Sequence, residues 1–209
     1  MDTAIKVRIL NANQVAEIEA ATQQGQPVLV IGSASQYQWL YDDSGSGSHM
    51  DGSIFRPLPA EADVFIIGDM AQGYYGDPQA SSLTVKAIND SSAAPMLATP
   101  TGYVQVWDDR GSGGHHDGAV WQPLAPDGYI AIGAVASNGY QMPSIPNYRC
   151  LRQDLVTTTT AGTLIWDDSG SGAHEDVELY TLQGVNGAFL AEPDYNPPTG
   201  NYYQLKPTS

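Results

Sequence analysis

The sequence predicts an all-β domain of three sheets around a pseudo-threefold axis, with one short N-terminal helix. Three observations carry that reading. First, one ornate stretch occurs three times: YDDSGSGSHMD at 41–51, WDDRGSGGHHD at 107–117 and WDDSGSGAHED at 166–176. All three obey aromatic-D-D-x-G-S-G-x-H-x-D, and a repeat at this level defines the architecture before any single element does. Second, the flanks of each loop read as short strands, rich in Val, Ile, Tyr and Trp and punctuated by Gly, Pro and Asp. Third, the copies are 66 and then 59 residues apart. That period is too long for the usual solenoid units and suits about four strands per repeat.

Taken in order, KVRIL reads as a strand and NANQVAEIEAATQQG as the helix. Val15, Ile18 and Ala21 fall at helical spacing, asparagines supply N-cap candidates, and Gly25 is a stop. QPVLVIGSA is the next strand. Its likeness to DGYIAIGAVAS predicts that the repeat frame begins there. GSIFRPLPAEADVFIIGDMA and GAVWQPLAPDGYIAIGAVA follow the first two loops and align with a one-residue gap, while VELYTLQGVNGAFLAEP after the third is looser. SSLTVKAI and NYRCLRQDLV alternate like strands between the copies, and TTTT at 157–160 is a β-prone connector. The final AFLAEPDYNPPTGNYYQLKP is expected to close the first sheet, covering an edge that would otherwise pair with a neighbour. Tyr41, Phe55, Trp107, Trp121 and Trp166 are core candidates at strand ends. Trp39, two residues before Tyr41, is expected to share its face. Cys150 reads as a buried small hydrophobe.

Composition bounds the rest. The 209 residues suit one domain, 1–209. Eight Lys and Arg stand against 23 Asp and Glu, a formal net charge of -15, so the summed field repels phosphates and argues against nucleic acid as a partner. A single cysteine permits no intrachain disulfide. The opening MDTAIKVRIL has no apolar signal core, which leads to the expectation of a cytoplasmic protein or one released without a conventional signal.

The middle repeat, with WQPLAPDGYIAIG from Trp121 to Gly133 and RCLRQDL from Arg149 to Leu155, resembles the vacuolar protein sorting-associated protein sixty-two family. The resemblance implies a β-prism similar to the jacalin-type lectins and to membrane-associating prism modules. The D-D-x-G-S-G element is less typical of that family's plant members, so no role for the loop follows from the resemblance.

Four chemistries compete for the loops. As plain turns, the adjacent aspartates close on backbone N–H groups, the glycines supply positive φ, and Ser46, Ser112 and Ser171 bond back to the chain. As a calcium site, Asp42, Asp43 and Asp51, with Asp108, Asp109 and Asp117 and with Asp167, Asp168 and Asp176, provide hard carboxylates beside glycine-freed carbonyls. An EF-hand is not expected: its twelfth position is Ser53, Ala119 or Glu178, only the last of which could comply, and strands flank the loops. Zinc is disfavoured by one recurrent histidine per loop and no cysteine. As a sugar site, the G-x-x-x-D half of each loop resembles the jacalin-type carbohydrate pattern: Gly47, His49 and Asp51; Gly113, His115 and Asp117; Gly172, His174 and Asp176. Catalysis is not expected, because three near-identical turns offer no oriented nucleophile, base and oxyanion group. The expected function is therefore non-catalytic recognition of a glycan or glycosylated surface through three equivalent loops, assisted by Ca2+ and by no organic cofactor. The alternatives are a toxin-associated β-prism of pore-forming or insecticidal type, bridged to membrane by calcium, and a structural trafficking adaptor.

Overall fold

The computed structural model describes residues 5–8 and 12–207. The three copies of the loop join three antiparallel hairpins, and each hairpin takes a third strand to become a small sheet. These are Tyr37–Asp42, Ser53–Pro57 and Met70–Gln72; Gly102–Asp108, Gly118–Leu124 and Val135–Asn138; and Ala161–Asp167, Glu178–Leu182 and Val185–Glu192. Each repeat is completed by a second sheet at the opposite end. Val28–Ala34 pairs with Ser82–Ile88, Leu97–Ala98 with Cys150–Arg152, and Val156–Thr159 with Tyr202–Leu205. The repeats therefore run over residues 28–88, 97–152 and 156–205, each closed on itself. The fold is the expected three-sheet β-prism.

Two sequence expectations about the frame are corrected. The C-terminal strand does not close the first sheet; it pairs with Val156–Thr159, so the threonine run is a strand and not a connector. QPVLVIGSAS is the opening strand of its repeat, not the counterpart of DGYIAIGAVAS, whose equivalents in the first repeat are residues 63–71. Apolar strand residues look alike on a short window, and only pairing distinguishes them.

The three sheets meet on the axis. At its waist the backbones of Gly68 and Gly133 approach so closely that a Cβ on Gly68 would lie 2.9 Å from that of Ala188 and 3.0 Å from the Cα of Gly133. The Asp69 N–H donates to the Ala134 carbonyl and the Ala134 N–H to that of Phe189, stitching the sheets together. Toward the loops, the axis is filled by Leu40, Tyr41, Ile54, Trp107, Val120, Trp166, Leu179 and Phe189. The other end holds a larger aliphatic cluster, including Leu29, Val85, Leu151, Val156 and Leu205. Asp69, fully buried, forms a bidentate pair with Arg56, whose guanidinium also reaches the Ala136 carbonyl.

The helix, Ala12–Gln23, lies outside this frame on the first repeat. Ile18 and Ala21 pack on Val28 and Val30, and Gly25, at φ +68°, ends the helix as its N–H and that of Gln26 close onto Thr22 and Ala21. Val15, expected on the core face, is 42% exposed. The N-cap candidate Asn11 lies outside the described residues. Strand Ile5–Arg8, which takes in the first three residues of the expected KVRIL, joins the same sheet in parallel with Val28–Ala34; the last two residues of KVRIL lie outside the described residues.

Candidate functional site

A one-residue bulge precedes every loop. Trp39 opposes Phe55 but Tyr41 opposes Ile54, leaving Leu40 extra; Val106 and Ile165 are extra in the second and third hairpins. A bulge turns the residues after it to the other face. Tyr41, Trp107 and Trp166 are thereby swung onto the axis, where they form a closed set of edge-to-face contacts with centroids 5.7, 6.4 and 5.5 Å apart. Trp39 does not share their face. It is half-buried, donates from Nε1 to Asp42 and stacks edgewise on His116.

Above this aromatic floor the three loops lock into a ring. The His49 N–H donates to the Ser169 carbonyl, that of His115 to Ser44 and that of His174 to Arg110, so each loop holds the next. The histidine rings lie over the neighbouring loops' glycines. A Cβ on Gly45 would sit 2.6 Å from the His115 ring, one on Gly111 2.6 Å from His174, and one on Gly170 2.7 Å from His49. Those glycines also have φ of +83°, +96° and +87°, which a side chain would strain. The recurrent G and H of the motif are the two halves of one interloop contact.

The aspartates divide into three jobs. The first of each pair makes an Asx turn: Asp42, Asp108 and Asp167 accept from the N–H groups of Ser44, Arg110 and Ser169. The second is buried in the prism. Asp43 accepts from the Gly52 N–H and the Trp166 indole, Asp168 from the Val177 N–H and the Trp107 indole, and Asp109 from the Gly118 N–H and the Ser112 hydroxyl. Ser46, Ser112 and Ser171 are buried and accept from backbone N–H groups two residues on. The third set, Asp51, Asp117 and Asp176, is exposed, as are His49, His115, His174, Gly47, Gly113 and Gly172.

Most of these carboxylates already accept hydrogen bonds within the protein. The oxygens of Asp43, Asp109 and Asp168 point inward at N–H and O–H donors, and those of Asp42, Asp108 and Asp167 at turn backbones. Asp51, Asp117 and Asp176 are exposed at the surface. Among the described residues, no group of three or more His, Cys, Asp or Glu side chains is placed to hold a metal ion.

The structure adds a threefold element that the motif did not contain. Tyr75, Tyr140 and Tyr195 follow the third strand of each repeat, and each hydroxyl stands at a pair of carboxylates. Tyr75 donates to Asp43 at 2.8 Å, Tyr195 to Asp168 at 2.7 Å and Tyr140 to Asp117 at 3.0 Å. Burial first, and then the carboxylates of Asp43 and Asp51, Asp117 and Asp109, and Asp168 and Asp176, push all three phenols up. The signal was present in the sequence as Y-x-x-P: YGDP at 75–78, YQMP at 140–143 and YNPP at 195–198. Every corner of this apex therefore carries an exposed aspartate beside a tyrosine ring, on a rigid base. The remaining charge is one-sided, with nine aspartates and Glu175 in the loops against Arg110.

Comparison with known proteins supports the β-prism fold. No curated protein sequence matches the chain significantly. Among solved structures, the crystal structure of GNIP1Aa from Chromobacterium piscinae superposes with a TM-score of 0.75 at 28% identity, over 96% of this chain and 43% of that one. The chain thus spans less than half the length of GNIP1Aa. The model of the family described as vacuolar protein sorting-associated protein 62 matches residues 24–192, which takes in all three loops and nearly all of the prism: the chain belongs to that family.

Proposed function

We propose that this β-prism is a non-catalytic recognition module whose three-loop apex binds glycans on a surface. One observation carries the reading. In each copy the second aspartate and the serine that build the loop are buried, while a late aspartate stays exposed beside a tyrosine whose ring is at least partly in solvent. A carboxylate accepts hydroxyl protons, and an aromatic face packs on the apolar C–H face of a pyranose; together they supply the few convergent polar groups and apolar wall that a small-ligand site needs. More than one such corner on a rigid end adds avidity on a multivalent surface. Without a bridging cation the same acidic ring repels anionic headgroups, which disfavours direct membrane binding. Tyr74 and Met142, exposed beside Tyr75 and Tyr140, keep a neutral lipid interface as the second reading.

A glycan array probed with and without calcium tests the proposal, with neutral and anionic liposomes in parallel. Retention on a defined set of glycans, and none on liposomes, is expected. Retention on liposomes alone would transfer the function to the membrane reading. Retention on neither would leave the apex as a structural cap.

A further inference from the structure

We propose that only two of the three apex corners are open to ligand, and that Arg110 closes the middle one. The fourth position of the motif is Ser44 in the first loop and Ser169 in the third, but Arg110 in the second. The Arg110 guanidinium carbon lies 4.0 Å from the centre of the Tyr140 ring, and its Nη1 pairs with Asp108. A cation held over a ring face in this way is attractive in itself, and it occupies the surface on which a sugar would stack. Tyr140 is half-buried as a result, whereas Tyr75 and Tyr195 are each 45% exposed. The hydroxyls differ in the same sense. Each lies between a buried and a late carboxylate, but the hydrogen bond goes to the buried Asp43 and Asp168 for Tyr75 and Tyr195 and to the late Asp117 for Tyr140. The middle corner thus has its ring face covered by Arg110 and its late carboxylate engaged by the Tyr140 hydroxyl. The first and third corners present a free ring face and a late carboxylate, suited to a neutral, hydroxyl-rich ring such as a pyranose.

That ligand class rests on the function proposed above; the closure by Arg110 does not. The two are separated by two measurements on wild type and on Arg110→Ser, a variant that copies the sister loops. Hydroxyl-radical footprinting needs no ligand. It should oxidise Tyr140 several-fold more slowly than Tyr75 and Tyr195 in wild type, and at a similar rate in the variant. Equal rates at all three tyrosines of wild type would overturn the closure. The second measurement follows tyrosine ring NMR signals during titration with methyl glycosides of mannose, galactose and N-acetylglucosamine. The Tyr75 and Tyr195 signals should move in wild type, with Tyr140 joining them in the variant. Movement of all three in wild type would overturn the two-corner proposal while leaving glycan recognition standing. Movement of none, with the footprinting contrast present, would overturn the glycan assignment while upholding the closed middle corner.

Discussion

Replacing Asp168 by Ala should unfold this protein far more readily than replacing Asp176, eight residues later in the same loop. The Asp168 carboxylate accepts from the Val177 N–H at 2.9 Å, the Trp107 indole at 3.0 Å and the Tyr195 hydroxyl at 2.7 Å. Val177 and Trp107 are buried, so water does not replace the lost acceptor for either donor. Each buried donor left unpaired costs about 1–3 kcal/mol, and hydrogen bonds to a charged group lie toward the upper end. Tyr195 is exposed and recovers its bond from solvent. Two orphaned donors give a loss of about 3–5 kcal/mol. A chain of this size shifts by about 2–4 °C per kcal/mol, so a fall in Tm of about 6–20 °C is expected. Asp176→Ala, an exposed substitution, should stay within about 0.5 kcal/mol of wild type. Thermal and urea unfolding followed by tryptophan fluorescence and circular dichroism make the comparison. Equal losses in the two variants would refute the division of the aspartates into buried scaffold and exposed recognition groups.

Further outcomes follow from the same geometry. Gly45→Ala places a Cβ against the His115 ring at a positive φ and should cost more than Gly139→Ala, where φ is +87° but no atom lies within 4 Å. His115→Ala should recover part of the difference, measured as a coupling of about 0.5–3 kcal/mol in a double-mutant cycle. Arg56→Ala leaves the Asp69 carboxylate buried without its partner and should cost about 3–5 kcal/mol in urea unfolding. Burial raises the phenols of Tyr41 and Tyr148, so the unfolded chain releases their protons near pH 10 while the folded one keeps them. Stability should therefore be intact below about pH 10 and fall as pH rises beyond it, read from unfolding midpoints beside phenolate absorbance; a flat alkaline profile would contradict the burial of these rings.

The threefold architecture was legible because the loop motif is long, and because its aspartates, glycines and serine each meet a demand of the turn that no other residue type meets as well. The paired aspartates were ambiguous for the same reason: a carboxylate that caps backbone N–H groups and one that binds calcium look alike in a string of letters. Trp166 and Asp43 are 123 residues apart in sequence, and their hydrogen bond follows only from the closure of the prism. The bulge that separates the faces of Trp39 and Tyr41 was hidden because a single extra residue inverts an alternation without any change in composition. The threefold equivalence of Tyr75, Tyr140 and Tyr195 was missed because they stand outside the loops, after strands of different length, where only the spacing to a proline marks them as equivalent. The C-terminal strand was misplaced because strand partners are chosen by register and space, which YYQLKP does not encode.

The central claim, that the exposed late aspartates are the recognition groups, is tested most directly by the triple variant Asp51→Ala, Asp117→Ala and Asp176→Ala against wild type on the same glycan array, at matched concentration and with circular dichroism and unfolding midpoints recorded for both. The account predicts a variant folded like wild type that no longer binds the glycans wild type retains. A well-folded triple variant that binds them undiminished would contradict it and place recognition away from those carboxylates.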